Sequence, residues 1–176
     1  MNRYDATAHI YDMRYSGEQI TKITAALKNV KVDENSVVLD AGCGTGLLFD
    51  YVACRVYEVV GIDVSKKTLI EAKKRTERLM NVFLVQADVD NLPFRETFTH
   101  VFAITVLQNT PNPTCTLKDL RRVAKDGAVV VVTGLKKIFP RRSFAKLLSD
   151  ADLKARLLDD EKNLKCYIAI CSVLRH

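Results

Sequence analysis

Three glycines at alternate positions follow a short apolar run near residue 40, and this spacing is typical of a ligand-binding turn. Residues 37–46 read VVLDAGCGTG, and a helical pattern begins directly after them. Glycine tolerates positive φ angles and allows a ligand to approach the backbone closely. In an open α/β sheet, ligands bind outside the carboxyl ends of the strands. We therefore expect Gly42, Gly44 and Gly46 to lie against a cofactor, with a purely structural role as the alternative.

The position of the third glycine separates two classes of cofactor. A dinucleotide-binding turn has the pattern G-x-G-x-x-G, which places a diphosphate at a helix N-terminus. Here Leu47 occupies the position at which that pattern requires its last glycine, and an acid, Asp40, precedes the turn. The sequence therefore departs from the dinucleotide pattern by one residue.

Two more acids follow the next two apolar runs. Asp63 ends VVGID at residues 59–63, and Asp88 follows VQA at residues 85–87. In dinucleotide folds, an acid about 20 residues after the glycine turn binds ribose hydroxyls. For either acid alone, a solvated cap at a strand end is the preferred interpretation. Three acids at successive strand ends, beside one glycine turn, indicate a shared ligand.

The pattern D-x-G-x-G-x-G of residues 40–46 resembles the first motif of class I S-adenosylmethionine-dependent methyltransferases. The resemblance implies that Asp40, Gly42 and Gly44 face the methionine end of the cofactor. By the same resemblance, Asp63 bridges the ribose hydroxyls and Asp88 accepts from the adenine amino group. The implied cofactor is S-adenosyl-L-methionine, its product is S-adenosyl-L-homocysteine, and no metal is expected. The full implied set of cofactor-binding residues is Asp40, Gly42, Cys43, Gly44, Gly46, Asp63, Val64, Asp88, Val89 and Tyr11.

The resemblance extends over nearly the whole chain. Residues 91–94, NLPF, look like the L-P-F turn that precedes the family's fourth strand. Residues 4–12, YDATAHIYD, resemble the Y-D-x-x-A-x-x-Y-D opening of type 11 methyltransferases, in which an N-terminal helix covers the cofactor. This makes Tyr11 a candidate cofactor contact. An aromatic ring that only packs on that helix is the equal alternative.

The segment of residues 106–113, VLQNTPNP, is the place to look for acceptor chemistry. It resembles V-L-H-H-V-P-D-P, found in methyltransferases that act on small molecules and on tRNA. Gln108 and Asn109 replace the two histidines, which removes a candidate base and keeps hydrogen-bonding capacity. Since a general base is needed only where the acceptor loses a proton early, the catalytic residues stay unknown, with these two as candidates. A helix-capping loop is the alternative.

Runs of β-branched residues alternate with helical patterns, which is typical of a parallel sheet flanked by helices. The last two predicted strands are joined by a short polar turn, so we expect an antiparallel hairpin at one edge. The predicted fold class is α/β: a doubly wound, mostly parallel seven-stranded sheet with an antiparallel C-terminal hairpin, Rossmann-like as in methyltransferases. The predicted strands are Val37–Asp40, Glu58–Ile62, Val82–Gln86, Thr99–Thr105, Ala128–Thr133, Lys154–Asp159 and Lys165–Ser172.

Three residues mark predicted helix ends. Ser65 is expected to cap a helix that runs to Leu79, because its hydroxyl can accept from a free backbone N–H. Gly127 is expected to end the helix before the fifth strand, and Pro140 to open the helix after it.

Composition indicates one soluble domain over residues 1–176, and the resemblance implies that an N-terminal helix is its lid. Hydrophobic residues make up 48% and charged residues 27%, which is an ordinary globular balance. The longest wholly apolar run is that of residues 128–132, whereas a membrane-spanning helix needs about 20 residues. Five scattered cysteines fit neither a zinc site nor a disulfide framework and indicate a reducing compartment. We therefore expect a cytoplasmic location, with small and mostly buried thiols.

The charge of the chain does not decide between three hypotheses for the methyl acceptor. The chain carries a net charge of +6, and basic residues cluster at Lys136, Lys137, Arg141, Arg142 and Lys146. This cluster favours RNA or a translation component as the acceptor, with a solvated basic helix face as the alternative. A small-molecule methyltransferase is the second hypothesis. The third is a cofactor-binding subunit that needs a small zinc-binding activator protein, docked on the third strand at the sheet edge.

Overall fold

The computed structural model describes the backbone of residues 8–158 and 164–174, and the side chains of those ranges from residue 17 onward. A seven-stranded sheet with the order β3-β2-β1-β4-β5-β7-β6 runs through this part of the chain. The first five strands are parallel, and β7 is antiparallel to both β5 and β6. The strands are β1 (Val37–Ala41), β2 (Glu58–Asp63), β3 (Val82–Gln86), β4 (Phe98–Ala103), β5 (Ala124–Leu135), β6 (Lys154–Leu157) and β7 (Cys166–Ser172).

The predicted fold class is confirmed, including the antiparallel pair at the sheet edge. The order of the strands reverses between β1 and β4, and open α/β sheets bind ligands at such a switch point. The helices are α1 (Ala8–Leu27), α2 (Phe49–Val52), α3 (Lys66–Thr76), α4 (Pro113–Val123) and α5 (Arg141–Asp150), and single 3₁₀ turns span Ala53–Arg55 and Leu107–Asn109.

Both faces of the sheet are covered, because the central strands are apolar on alternate sides. Leu39 of β1 belongs to the cluster that contains Leu117 of α4 and Phe144 of α5. Its neighbour Val38 belongs to the opposite cluster, with Ile23 of α1. Strands buried on both faces read as continuous apolar runs, and for this reason β1 and β5 are apolar throughout their centres.

Two of the three expected helix ends are found. Ser65 caps α3, since its Oγ accepts from the backbone N–H of Thr68, although the helix ends at Thr76. Pro140 directly precedes α5. The expectation for Gly127 is wrong: α4 ends at Val123, and this glycine lies within β5 where the pairing with β4 shifts register. Its φ of 73° suits that irregularity, and its N–H donates to Val173 of the neighbouring segment.

A second expectation is corrected at the end of β4. The strand was expected to continue to Thr105, but it ends at Ala103, and Thr105 has a φ of 65°. A left-handed residue cannot continue a strand, so the chain turns away from the sheet here. Residues 104–110 therefore leave the carboxyl edge of the sheet as an irregular segment.

The Phe49 ring fills the space between the start of α2 and strand β2. A Cβ atom at Gly61 of β2 would lie 2.5 Å from Phe49 Cζ, and one at Gly46 would overlap the same ring. Phe49 itself is 1% exposed. The close approach of this ring leaves no room for a side chain at either position, and at Gly46 the φ of 81° also favours glycine.

The described residues show where the cysteines lie and allow a search for metal-ligating clusters and membrane-spanning helices. Cys43, Cys166 and Cys171 are buried, whereas Cys54 and Cys115 are exposed. Within the described ranges, no group of three or more metal-ligating side chains comes together. Of the helices in those same ranges, none combines the length and the apolar character that a membrane crossing requires.

Candidate functional site

The glycine turn after β1 contains glycines of two kinds. A Cβ at Gly42 would lie 2.6 Å from Val106 Cγ2, so the packing of the protein itself excludes a side chain there. Among the described residues, no atom lies within 4 Å of the position that a Cβ would take at Gly44, whose φ is 55°. The backbone at Gly44 therefore faces open space, which a ligand in close contact with the turn would need. Packing explains the glycine at position 42. At position 44 the positive φ itself favours glycine, and the open space beside the turn also leaves room for a ligand.

The carboxylate of Asp63 joins the end of β2 to the glycine turn. Its Oδ2 accepts from the backbone N–H of Gly44 at 2.9 Å, and its Oδ1 accepts from the N–H of Ser65 at 2.8 Å. The N–H of Cys43 donates to the carbonyl of Ile62 at 2.8 Å. Because each carboxylate oxygen has two lone pairs, Asp63 can hold the turn and still accept hydroxyl protons from a ligand.

Asp40 is a buried acid at the end of β1. It is 5% exposed. The pKa of its carboxyl is raised to about 8, mainly by burial and to a smaller extent by the like charge of Asp63. Among the described residues, no cation contributes to this shift. A positive ligand group beside the two acids would favour the ionised form of Asp40, so the site suits the sulfonium and ammonium groups of S-adenosylmethionine.

Cys43 is close enough to both acids to feel their charges, and its environment excludes thiolate chemistry. The residue is 8% exposed. Burial raises the pKa of its thiol well above the usual value, and the charges of Asp40 and Asp63 add to this effect. A nucleophilic cysteine needs a lowered pKa. The thiol of Cys43 is therefore a packing group in the turn.

The other predicted cofactor residues lie further along the same edge. Val64 is 55% exposed after β2, and its carbonyl accepts from Gln86 Nε2 at 3.1 Å. Asp88 is exposed after β3, and its Oδ1 accepts from the N–H of Asp90 at 3.0 Å. Val89 follows it and is half-buried. The side chain of Tyr11 lies outside the described residues.

The other half of the crevice is formed by the segment after β4. The N–H of Thr105 donates to Thr133 Oγ1 of β5 at 2.7 Å, and Asn109 Nδ2 donates to the Thr105 carbonyl at 3.0 Å. Of the two candidate catalytic residues, Gln108 is half-buried and Asn109 is exposed. The side-chain amide of Asn109 is thus already used to close the turn.

Sequence reasoning missed the residues of α1 that contact this segment. Lys22 is 4% exposed, and its Nζ donates to Thr105 Oγ1 at 3.1 Å. It also lies 3.1 Å from Glu18 Oε1. The spacing of four residues on one helix is the available signal, since it predicts an ion pair. It does not predict burial, because most such pairs face solvent.

Exposed basic residues follow the carboxyl end of β5. Lys136 and Lys137 follow β5, and Arg141 and Arg142 form the first turn of α5. Because β5 is parallel to β1 through β4, its end lies at the same edge of the sheet as the glycine turn. Basic residues in a first helical turn oppose the helix dipole, so a bound anion would relieve this repulsion. The fifth residue of the predicted cluster, Lys146, pairs with Asp150 at 2.8 Å.

Comparison with known proteins identifies the family. The sequence profile of the methyltransferase domain family, type 11, matches residues 39–132, which is more than half of the chain. The chain belongs to this family. It is thereby a member of the class I S-adenosylmethionine-dependent methyltransferases, and S-adenosyl-L-methionine is its cofactor.

The curated relatives of this methyltransferase chain are longer than the chain itself. The demethylmenaquinone methyltransferase of Staphylococcus saprophyticus is 35% identical over 109 residues, which cover 60% of this chain and 47% of that protein. The corresponding protein of Staphylococcus haemolyticus is 33% identical over 109 residues, or 60% of this chain and 46% of that protein. The chain therefore spans about half the length of the curated relatives that it matches.

Solved structures share the fold over nearly the full chain. A chain in the complex between the Haloferax volcanii Trm112 methyltransferase activator and a methyltransferase superposes with a TM-score of 0.88. It is 16% identical, with 99% of each chain covered. A SAM-dependent methyltransferase from Aquifex aeolicus has a TM-score of 0.83 and 20% identity, covering 97% of this chain and 98% of its own. At these identities the likeness concerns the fold.

Proposed function

We propose that the chain transfers a methyl group from S-adenosylmethionine to an acceptor that enters beside the ends of β4 and β5. The observation that carries this proposal is the pair of acids at the glycine turn. Asp40 is buried, Asp63 is hydrogen-bonded to the Gly44 N–H, and no cation of the described residues shifts the Asp40 pKa. When bound, the cofactor supplies a methyl group activated by its sulfonium charge. The protein supplies position and dry surroundings for the transfer.

The proposed cofactor contacts follow from the order of the strands. The turn at Gly44 and the carboxylate of Asp40 would hold the methionine end, and Asp63 would accept from the ribose hydroxyls. Val64, Asp88 and Val89, one strand further out, would line the adenine side. Tyr11 of the N-terminal helix remains a proposed contact from the sequence.

Titration calorimetry with S-adenosylmethionine tests the cofactor half of the proposal. We expect saturable binding with a stoichiometry of about one per chain, as one pre-formed crevice implies. Transfer of a tritiated methyl group into cell extract, separated into RNA, protein and lipid-plus-metabolite fractions, tests the acceptor half. The absence of cofactor binding would contradict the proposed function as a whole.

For the acceptor we propose RNA or another component of the translation machinery. The support is the position of exposed Lys136, Lys137, Arg141 and Arg142 beside the end of β5, where phosphates could dock. We expect the charge reversals Lys137→Glu and Arg142→Glu together to weaken binding to total tRNA and to lower the salt dependence by about two counterions. The matched control is the pair Lys28→Glu and Lys31→Glu, which reverses exposed lysines that precede β1.

The control pair lies at the amino ends of the strands, away from the crevice, so its effect on RNA binding should be small. Equal losses for the two pairs would show attraction to net charge and would remove the basic cluster from the acceptor site. Transfer into the lipid-plus-metabolite fraction alone would also contradict RNA as the acceptor.

A small-molecule acceptor is the second candidate, and the demethylmenaquinone methyltransferases favour it through their similarity. On this proposal the N-terminal helix and residues 107–113 enclose an apolar acceptor. The tritium experiment distinguishes the two candidates, since an isoprenoid quinone would carry the label into the lipid-plus-metabolite fraction.

We further propose that a small zinc-binding activator protein docks on strand β3. This strand ends the sheet, and edge strands present unpaired backbone groups to partners. Phe83 on the strand is 51% exposed, and Met80 just before it is 93% exposed. The likeness in fold to the methyltransferase chain of the Trm112 complex supports this partner class. We expect Phe83→Asp to abolish co-elution with such an activator in size-exclusion chromatography while cofactor binding is retained.

A further inference from the structure

Thr105 has a backbone conformation that its side chain disfavours. Its φ is 65°, and a β-branched residue at positive φ is an outlier in proteins. Such a residue persists only when its surroundings hold it, and strained residues of this kind concentrate at functional sites. Thr105 lies at the carboxyl end of β4, on the acceptor side of the crevice.

Four hydrogen bonds hold Thr105 in this conformation. Its N–H donates to Thr133 Oγ1 at 2.7 Å, and its carbonyl accepts from Asn109 Nδ2 at 3.0 Å. Its hydroxyl accepts from Lys22 Nζ at 3.1 Å and donates to Gln19 Oε1 at 2.9 Å. Two of the four bonds come from α1, so this helix fixes the hydroxyl and the neighbouring segments fix the backbone.

Lys22 is an unusual partner for such a contact, because it is 4% exposed. Its ammonium lies 3.1 Å from Glu18, whose side chain is 28% exposed. Burying an ion pair gains little stability compared with apolar residues of the same size. The placement of the pair is therefore better explained by the hydroxyl that it holds than by its contribution to the free energy of folding.

The residue after Thr105 transmits this position to the glycine turn. Val106 is 7% exposed and fills the space beside Gly42, where a Cβ would lie 2.6 Å from its Cγ2. If Thr105 relaxed to a negative φ, the direction of the chain would change and Val106 would leave Gly42. The glycine turn would then lose its packing contact with the Val106 side chain.

We propose that Lys22 is a positioning residue: it holds the left-handed turn at Thr105 and, through Val106, sets the glycine turn for the cofactor. The inference rests on the proposed function only in that the glycine turn binds S-adenosylmethionine and its product. The inference adds a residue of α1 to the site. Lys22 is 83 residues away along the chain from Thr105, the residue that it holds.

A double-mutant cycle with S-adenosylhomocysteine as the probe tests this inference. Lys22→Met keeps the length of the side chain and removes its charge. Thr105→Gly replaces the strained residue with one that adopts positive φ freely, so the turn no longer needs to be held. We expect Lys22→Met to weaken binding about tenfold in the natural background and less than about twofold in the Thr105→Gly background.

The smaller effect of Lys22→Met in the Thr105→Gly background distinguishes a positioning role of Lys22 from a contribution to the free energy of folding alone. If Lys22 only contributed to folding, its loss would be equal in both backgrounds, and this result would overturn the inference. An unchanged affinity of Lys22→Met would overturn it as well. Lys28→Met, at an exposed lysine just after α1, is the matched control and should bind like the natural chain.

A second variant and the binding of the natural chain complete the test. If Lys22→Met does not fold, Glu18→Gln in the same two backgrounds replaces it, because Glu18 is partly exposed and holds the Lys22 ammonium. If the natural chain itself does not bind S-adenosylhomocysteine, the proposed function fails and the inference fails with it. Binding by the natural chain without rescue contradicts the inference alone.

Discussion

The two halves of the crevice are built in different ways. On the cofactor side, Asp40, Gly44, Asp63 and Ser65 belong to one short stretch of chain, and backbone N–H groups make the decisive contacts. On the acceptor side, the segment at Thr105 is held by α1, β5 and its own loop, which lie far apart in sequence. The cofactor side is thus built from residues 40–65, on two paired neighbouring strands, whereas the acceptor side also needs α1 and β5; the two sides meet where Val106 packs against Gly42.

The halves also differ in charge. Two carboxylates meet on the cofactor side, and their mutual repulsion is part of the reason that the Asp40 pKa is raised. Exposed lysines and arginines follow the carboxyl end of β5, beside the proposed acceptor side. Under the proposed function, the first half would bind the cationic cofactor and the second half an anionic acceptor.

The largest expected effect is on the cofactor side, from Gly44→Ala. A methyl group at Gly44 would occupy the open space and weaken S-adenosylmethionine binding by about 3 kcal/mol, because the ligand must approach the backbone there. Calorimetry measures this loss. The matched control is Gly127→Ala, since Gly127 also has a positive φ and open surroundings. Both variants should lose about 1 kcal/mol of stability from backbone strain, and only Gly44→Ala should lose cofactor affinity.

Asp63→Ala tests the contact between strand β2 and the turn. We expect the affinity for S-adenosylmethionine to fall by about 2 kcal/mol, because charged hydrogen bonds to the ligand and to Gly44 are lost. Asp33→Ala is the control: this acid also accepts from a nearby N–H and a hydroxyl, but before β1. An unchanged affinity of Asp63→Ala in calorimetry would remove Asp63 from the site.

Because the pKa of Asp40 is raised in the folded chain, we expect the free energy of unfolding to depend on pH. Its pKa of about 8 in the folded chain exceeds the ordinary 3.8 of the unfolded chain. Its contribution to the free energy of unfolding is therefore fully present below pH 3.8 and is lost as pH rises through about 8. The slope for one proton is at most about 1.4 kcal/mol per pH unit. Asp40→Asn removes this titrating group. Urea unfolding between pH 3.8 and about pH 8 should therefore show that the free energy of unfolding falls more steeply with pH in the natural chain than in the variant. Parallel curves would contradict the raised pKa of Asp40.

The smallest effect is expected on the acceptor side, from Asn109→Ala. The loss of one hydrogen bond to the Thr105 carbonyl should lower stability by about 1 kcal/mol, measured by urea unfolding. Methyl transfer should fall while the affinity for S-adenosylmethionine changes little. A loss of cofactor affinity as large as that expected for Lys22→Met would show that the turn at Thr105 depends on Asn109 as much as on Lys22.

The contrast between the two halves also explains what sequence could predict. The glycine spacing, the acids at strand ends and the apolar alternation are local patterns, so strands β1 to β3 were placed to within one residue. Gly127 was misassigned because a glycine after a helix has the same local pattern whether it caps the helix or kinks a strand. Only the pairing of β4 with β5 distinguishes these two roles.

The acceptor side could not be predicted for the same physical reason. Nothing in the local sequence of Thr105 requires a positive φ, and β-branched residues near a strand end normally favour continuing the strand. Lys22 resembles any lysine that is paired along a helix. Both residues acquire their roles from a contact that depends on where α1 packs against the sheet.

The position of Phe49 has a consequence for how this protein and its homologues can vary. Its ring touches the places where side chains would stand at Gly46, in the glycine turn, and at Gly61, inside β2. Positions 49 and 61 should therefore covary: a larger residue at position 61 becomes acceptable only in lineages where residue 49 has become small. Position 46 should stay glycine even there, because its φ of 81° opposes a side chain in any case. A survey of homologous sequences would then find a large residue at position 49 or at position 61, and almost never at both.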